Sequence, residues 1–129
     1  LVCLLDQGEF NNIHPTDKRV VGERLWEIAK GVVYGEPAKV SPQVVKKAID
    51  GKEMILTLSE PVEAREEGKN LLEIREENGA YVPADFRIEG NRLILTGCEH
   101  PAQARYGWTD FAKVRLFGTN GLPLEPFEV

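Results

Sequence analysis

Cysteine is scarce in this chain. Cys3 and Cys98 are the only two, far apart, and neither has a second Cys or a His at metal-ligand spacing. That excludes a disulfide-dense scaffold and a zinc knuckle, and two unpaired thiols are expected. No spacing asks for a metal or any other cofactor, so none is expected. Excess positive charge is also missing: the net charge of −5, with acids and bases interspersed, leaves no concentrated basic patch for phosphates and excludes a nucleic-acid partner. No apolar stretch approaches the roughly 18 to 20 residues that span a bilayer, so no transmembrane helix is expected. Methionine occurs once, as Met54, and not at position 1. The first residues already read as a strand, and the expectation is a piece of a longer protein.

At 129 residues, 42% of them apolar, the chain can bury a core of its own. One full domain with a piece of another is expected, the boundary falling at Gly35-Glu36-Pro37. Leu1-Val2-Cys3-Leu4-Leu5 reads as a strand apolar on both faces, the pattern of a covered α/β sheet. Val21, Leu25, Ile28 and Val32 then follow the i, i+4, i+7, i+11 pattern of an amphipathic helix. Lys18, Arg19, Glu23, Arg24, Glu27 and Lys30 fall mostly on its other face. One helix over 16–34 is predicted, capped by Thr16 or Asp17 and ended by Gly31 or Gly35.

Beyond residue 40 the pattern changes to short alternations punctuated by Asp50-Gly51, Asn78-Gly79, Gly90-Asn91 and Asn120-Gly121, which are hairpin and turn signals. Met54, Leu56 and Leu58 alternate, as do Leu72 and Ile74. Phe86 and Ile88 should pair across Gly90-Asn91 with Leu93 and Leu95. With 44–49, 104–108 and 113–117 these make about seven strands, the count and spacing of an antiparallel β-sandwich. The predicted fold is therefore mainly β: residues 37–129 form a sandwich, and residues 1–36 are the last strand, loop and helix of an α/β domain.

Between strand and helix lies Asp6-Gln7-Gly8-Glu9-Phe10-Asn11-Asn12-Ile13-His14-Pro15. An acid, two Asn side chains and a histidine in a Gly-containing loop after a buried strand are the parts from which open α/β sheets build catalytic sites. His14 is the candidate general base, since imidazole titrates near neutral pH. His100 has no such context and reads as a loop histidine.

Asp6-x-Gly8-Glu9, Asn12-Ile13-His14-Pro15, Lys18, Val21-Gly22-x-Arg24-Leu25 and Tyr34-Gly35 recur in order with Arg105-Tyr106-Gly107-Trp108 and Gly121-Leu122-Pro123-x-x-Pro126-Phe127. In these elements the chain resembles the C-terminal part of the sialate O-acetylesterase family of carbohydrate esterases, over nearly its whole length. The resemblance implies a truncated α/β hydrolase domain of the serine-glycine-asparagine-histidine (SGNH) type, followed by the β-sandwich. It implies a parent serine carboxylic-ester hydrolase acting on an acetylated sugar, secreted or periplasmic. The nucleophile would lie upstream, because Ser41 and Ser59 sit in no such motif; the oxyanion donors would lie there too. The chain alone should therefore be inactive.

His14 is the catalytic base the resemblance implies, with Asp6 as the acid that orients it. Asn12 is the alternative, and a backbone carbonyl would leave a dyad. Asn11 stands where many relatives of this hydrolase type carry Asp. Lys18 reads as a solvated or loop-pinning residue. The sandwich core is the expected place for Trp108, with a sugar-stacking platform of Trp108, Tyr106 and Tyr81 as the alternative. A different class of function is a non-catalytic carbohydrate-binding or scaffolding module, which would have no need of strand, acid and histidine in that order. Residues 1–34 are expected either to fold back on the sandwich or to pair with a second copy, as a homo-oligomer, if the rest of the catalytic domain does not cover them.

Overall fold

The computed structural model describes residues 1–111 and 113–129. One helix, α1 (Arg19–Tyr34), precedes ten strands: β1 (Val44–Asp50), β2 (Glu53–Leu58), β3 (Val62–Ala64), β4 (Leu72–Arg75), β5 (Val82–Pro83), β6 (Asp85–Glu89), β7 (Arg92–Thr96), β8 (Gln103–Tyr106), β9 (Leu116–Gly118) and β10 (Phe127–Glu128). Among the described residues all strand pairs are antiparallel. They form a four-stranded sheet in the order β1-β2-β7-β6, a second in the order β10-β8-β4-β5, and a ribbon of β3 and β9.

Turn chemistry sets the register. Across the Gly90-Asn91 turn Phe86 lies opposite Leu95 and Ile88 opposite Leu93, the predicted pairing. Gly51-Lys52 joins β1 to β2, with Asp50 still in the strand opposite Glu53, so the turn falls one residue later than the Asp50-Gly51 signal. Met54, Leu56 and Leu58 of β2 and Leu93 and Leu95 of β7 point inward from the first sheet; Leu72 and Ile74 of β4 and Ala104 and Tyr106 of β8 point inward from the second. Val62, Leu116 and Leu124 close the core. Each fully buried Leu or Met here contributes about 1.5–3 kcal/mol over exposure, so the stability of the molecule resides between the sheets. The strands missed in the sequence, β3, β5 and β10, are two or three residues long.

The amino-terminal segment departs from expectation. Leu1–Leu5 is not a strand: it forms no ladder, and Leu1 is 94% exposed. A strand exists only with a hydrogen-bonded neighbour, and none of the described strands runs beside it. Cys3 is nonetheless buried and Leu5 packs against the sandwich core, so the segment does fold back in part. The helix forms close to its predicted limits and ends at Gly35, whose left-handed φ of 66° lets Glu36 N–H reach Lys30 O at 3.1 Å. Lys18, not Thr16 or Asp17, is the N-cap, without a side-chain cap; the Asp17 carboxylate instead accepts from Arg19 N–H at 3.0 Å. None of the helix residues is buried, and Leu25 and Val32 of the apolar stripe are exposed. Cys3 and Cys98 are both free thiols.

Candidate active site

Asp6 stands where the chain leaves the sandwich edge for the His14 loop. Its two carboxylate oxygens meet the Arg24 guanidinium, Nη1 to Oδ1 at 2.6 Å and Nη2 to Oδ2 at 2.8 Å, and Arg24 Nη1 also donates to Cys3 O at 2.8 Å. Gln7 Nε2 donates to Oδ2 at 3.1 Å. Burial pushes the Asp6 carboxyl up, but the hydrogen bonds from Arg24 and Gln7 and the Arg24 charge outweigh it and hold the group below the ordinary carboxylate range. Both members of the pair are only 13% exposed. Arg24 thus fastens the first residues to the helix. Although placed on the polar face from sequence, it lies three residues after Val21 and four before Ile28, on the same side as both. A cation there requires an acid, and that was the available signal.

His14 is reached through a second carboxylate. Glu9 Oε1 accepts from Thr16 N–H at 2.8 Å and from Thr16 Oγ1 at 2.7 Å, and its Oε2 accepts from Asn12 Nδ2 at 3.2 Å. Those hydrogen bonds, from Thr16 first and then Asn12, hold the Glu9 carboxyl low. Asn12 Oδ1 in turn accepts from the backbone N–H of His14 at 2.9 Å. Glu9 therefore clamps the loop end to end, and Asn12 fixes the His14 backbone rather than its ring. The His14 side chain is exposed, and no hydrogen bond joins it to Asp6 among the described residues.

The carboxyl-terminal loop of β8 meets the His14 loop. Phe10 and Phe111 pack edge to face with centroids 5.7 Å apart, and an open cleft of about 600 Å³ runs between Glu9–Ile13 and Thr109–Phe111. A second cleft, about 310 Å³, lies beside Asp6-Gln7-Gly8 and is walled by Arg65, Glu67, Lys113 and Phe117. Trp108 corrects the sequence reading: it is 55% exposed rather than part of the core, whereas Tyr106 is buried against Phe127. β8 ends at Tyr106, and Gly107, with its positive φ of 78°, breaks the strand alternation that would have returned Trp108 to the inner face. Among the described residues no group of three or more His, Cys, Asp or Glu is placed to hold a metal ion, and no helix is long and apolar enough to cross a membrane.

No family model and no curated protein matches the chain. A solved structure does. The crystal structure of a novel carbohydrate acetylesterase from Xanthomonas citri superposes with a TM-score of 0.86 at 30% identity over 96% of this chain. The chain covers 31% of that protein, about a third of its length. Residues 1–36 are more than a quarter of the sequence, so a match over 96% includes most of them. The combination of loop, helix and β-sandwich, and not the sandwich alone, is thus similar to part of a carbohydrate acetylesterase.

Proposed function

We propose that this chain is the C-terminal portion of a serine-type carbohydrate O-acetylesterase, of the sialate O-acetylesterase kind, with residues 1–36 completing an SGNH-type catalytic domain and residues 37–129 forming an accessory sandwich. The supporting observation is the structural match, which runs through the His14 loop and the helix as well as the sheets. A serine supplied by the rest of the parent attacks the acetyl carbonyl. His14 takes the serine proton and passes it to the sugar oxygen as that bond breaks; it then takes a proton from the water that attacks the acetyl-enzyme and returns it to the serine oxygen as acetate leaves. An exposed imidazole on a loop clamped by Glu9 and Asn12 suits a group that must meet a nucleophile from another part of the protein. Asp6 is the acid of the site. Its ion pair with Arg24 makes it a positioning residue that sets where the loop departs.

In the full-length parent, His14→Ala should lower kcat on an acetylated sugar by ~10³ to 10⁶, and a loss below tenfold would exclude His14 as the base. The 129-residue chain alone should hydrolyse an aryl acetate no faster than its own His14→Ala variant. Asp6→Asn should cost the parent roughly 10² to 10⁴ in kcat. If Arg24→Ala costs as much, positioning accounts for the role of Asp6; if it costs little, the Asp6 charge acts directly.

A further inference from the structure

The outer face of the second sheet carries a feature the esterase reading leaves unused. Glu73 of β4 lies opposite Arg105 of β8, and Arg105 Nε donates to Glu73 Oε2 at 2.5 Å. The Arg105 guanidinium lies 4.0 Å from the centre of the Tyr81 ring and 6.0 Å from that of Trp108. Beside this pair a groove of about 300 Å³ is lined by Asn70, Leu71, Glu73, Pro83, Trp108 and Thr109. Small-molecule sites run from ~300 to 1,000 Å³, so the groove has room for one ring. It combines an exposed indole, a carboxylate, an amide residue and a hydroxyl, which is the mixture an oxygen-rich ring with one apolar C–H face can use.

Thr109 lines both this groove and the cleft bounded by Glu9–Ile13. The two are therefore adjacent, and a chain molecule leaving the Trp108 groove passes directly to the loop that ends at His14. Charge narrows the ligand further. Arg105 is already neutralised by Glu73, and Asp110 lines the adjoining cleft. The one carboxylate of the groove, Glu73, is paired with Arg105, and the groove lining holds no Lys, Arg or His, so an acidic ring would find no free cation there to pair with.

We propose that the groove at Trp108 is a subsite for one uncharged pyranose ring of a glycan, stacked on the indole with Glu73 and Thr109 bonding its hydroxyls, and that the glycan continues past Thr109 to His14. The first half stands on the groove alone; the second rests on the esterase reading. The subsite would make the sandwich a wall of the substrate path, selecting acetylated oligosaccharides over acetylated monosaccharides.

Two measurements separate these claims. In nuclear magnetic resonance spectra of the 129-residue chain, titration with a neutral hexasaccharide such as cellohexaose should shift the Trp108 indole N–H and the Thr109 amide, and leave the Trp26 indole unmoved. Trp108→Ala should abolish the Thr109 shift. Absence of any shift at millimolar cellohexaose, maltohexaose or xylohexaose would overturn the subsite, and a larger response to sialyllactose would overturn its preference for uncharged rings. In the parent enzyme, Trp108→Ala should raise KM for an acetylated oligosaccharide about three- to tenfold, the loss of one stacking contact, and by clearly more than it raises KM for an acetylated monosaccharide. An unchanged oligosaccharide KM in an active parent overturns the path to His14 but not the esterase. A parent inactive on every acetate overturns the esterase reading and the path, while the spectra still decide the subsite.

Discussion

The Asp6 carboxylate and the Arg24 guanidinium meet through two parallel hydrogen bonds, of 2.6 and 2.8 Å, across eighteen residues of sequence. This fork is the main polar tie between the first residues and a helix none of whose residues is fully buried. Paired in this geometry, a charge-assisted contact is about twice as strong as a neutral one. Removing one partner leaves the other buried and unpaired.

Arg24→Ala should therefore loosen the helix without unfolding the sandwich, because the core between the sheets holds no residue of 19–34. Hydrogen exchange is the measurement. The α1 amides should exchange on the order of tenfold faster or more, while those of β2 and β7 keep their protection. Equal acceleration in both regions would mean that helix and sandwich unfold as one unit.

The same pair sets a dependence on pH. Asp6 is held below its unfolded value by Arg24, so its contribution is fully present above the unfolded carboxylate pKa of ~3.9. It is lost as pH falls through the lower folded value. Protection of α1 should thus be flat from neutrality to about pH 5 and decline below the ordinary carboxylate range. In Asp6→Asn that decline should be absent. An equal acid sensitivity in the variant would place the titrating group elsewhere.

How much of this was legible depended on range. The β6–β7 pairing followed from Gly90-Asn91 and the alternation of Phe86, Ile88, Leu93 and Leu95, all local information. The run Leu1–Leu5 misled, because apolar character identifies a segment that can be covered but not the strand that would pair with it. Arg24 was read as surface because charge outweighed its position in the helical period. Trp108 was assigned to the core because sandwiches commonly bury one Trp, yet β8 stops at Tyr106 and Gly107, at φ 78°, turns the chain out of the strand before Trp108. The Glu9 clamp on Thr16 and Asn12 spans only seven residues, and its signal was a carboxylate within reach of a loop rich in donors.

Close packing yields a prediction for the sandwich itself. Gly68 has φ +109°, and a Cβ there would stand 2.6 Å from Val114 O. Backbone cannot yield as a side-chain tip can. Gly68→Ala should destabilise by about 3 kcal/mol or more, combining a strained φ with a steric clash. Gly51→Ala, at φ +60° in open space, should cost only ~1–2 kcal/mol. Urea midpoints of the two variants make the comparison, and equal losses would show that strain in φ alone accounts for both.

The exposed face of the helix carries the last expectation. Leu25, Trp26, Val32, Val33 and Tyr34 are all exposed, with Val32 at 81%, and Phe10 and Ile13 add to the apolar surface of the same amino-terminal region. At ~25 cal/mol per Å², a few hundred Å² withdrawn from water is worth several kcal/mol, enough to drive association when nothing else covers it. The 129-residue chain should therefore self-associate with rising concentration. Light scattering checks this, and Trp26→Glu with Val32→Glu should return it to a monomer, since a buried carboxylate at each contact would be unpaired. A second arm adds the remainder of the parent protein in trans: if the helix face belongs against the catalytic domain, that addition should dissolve the self-association and form a one-to-one complex. A chain that stays monomeric across the series would mean that this apolar face is tolerated in water.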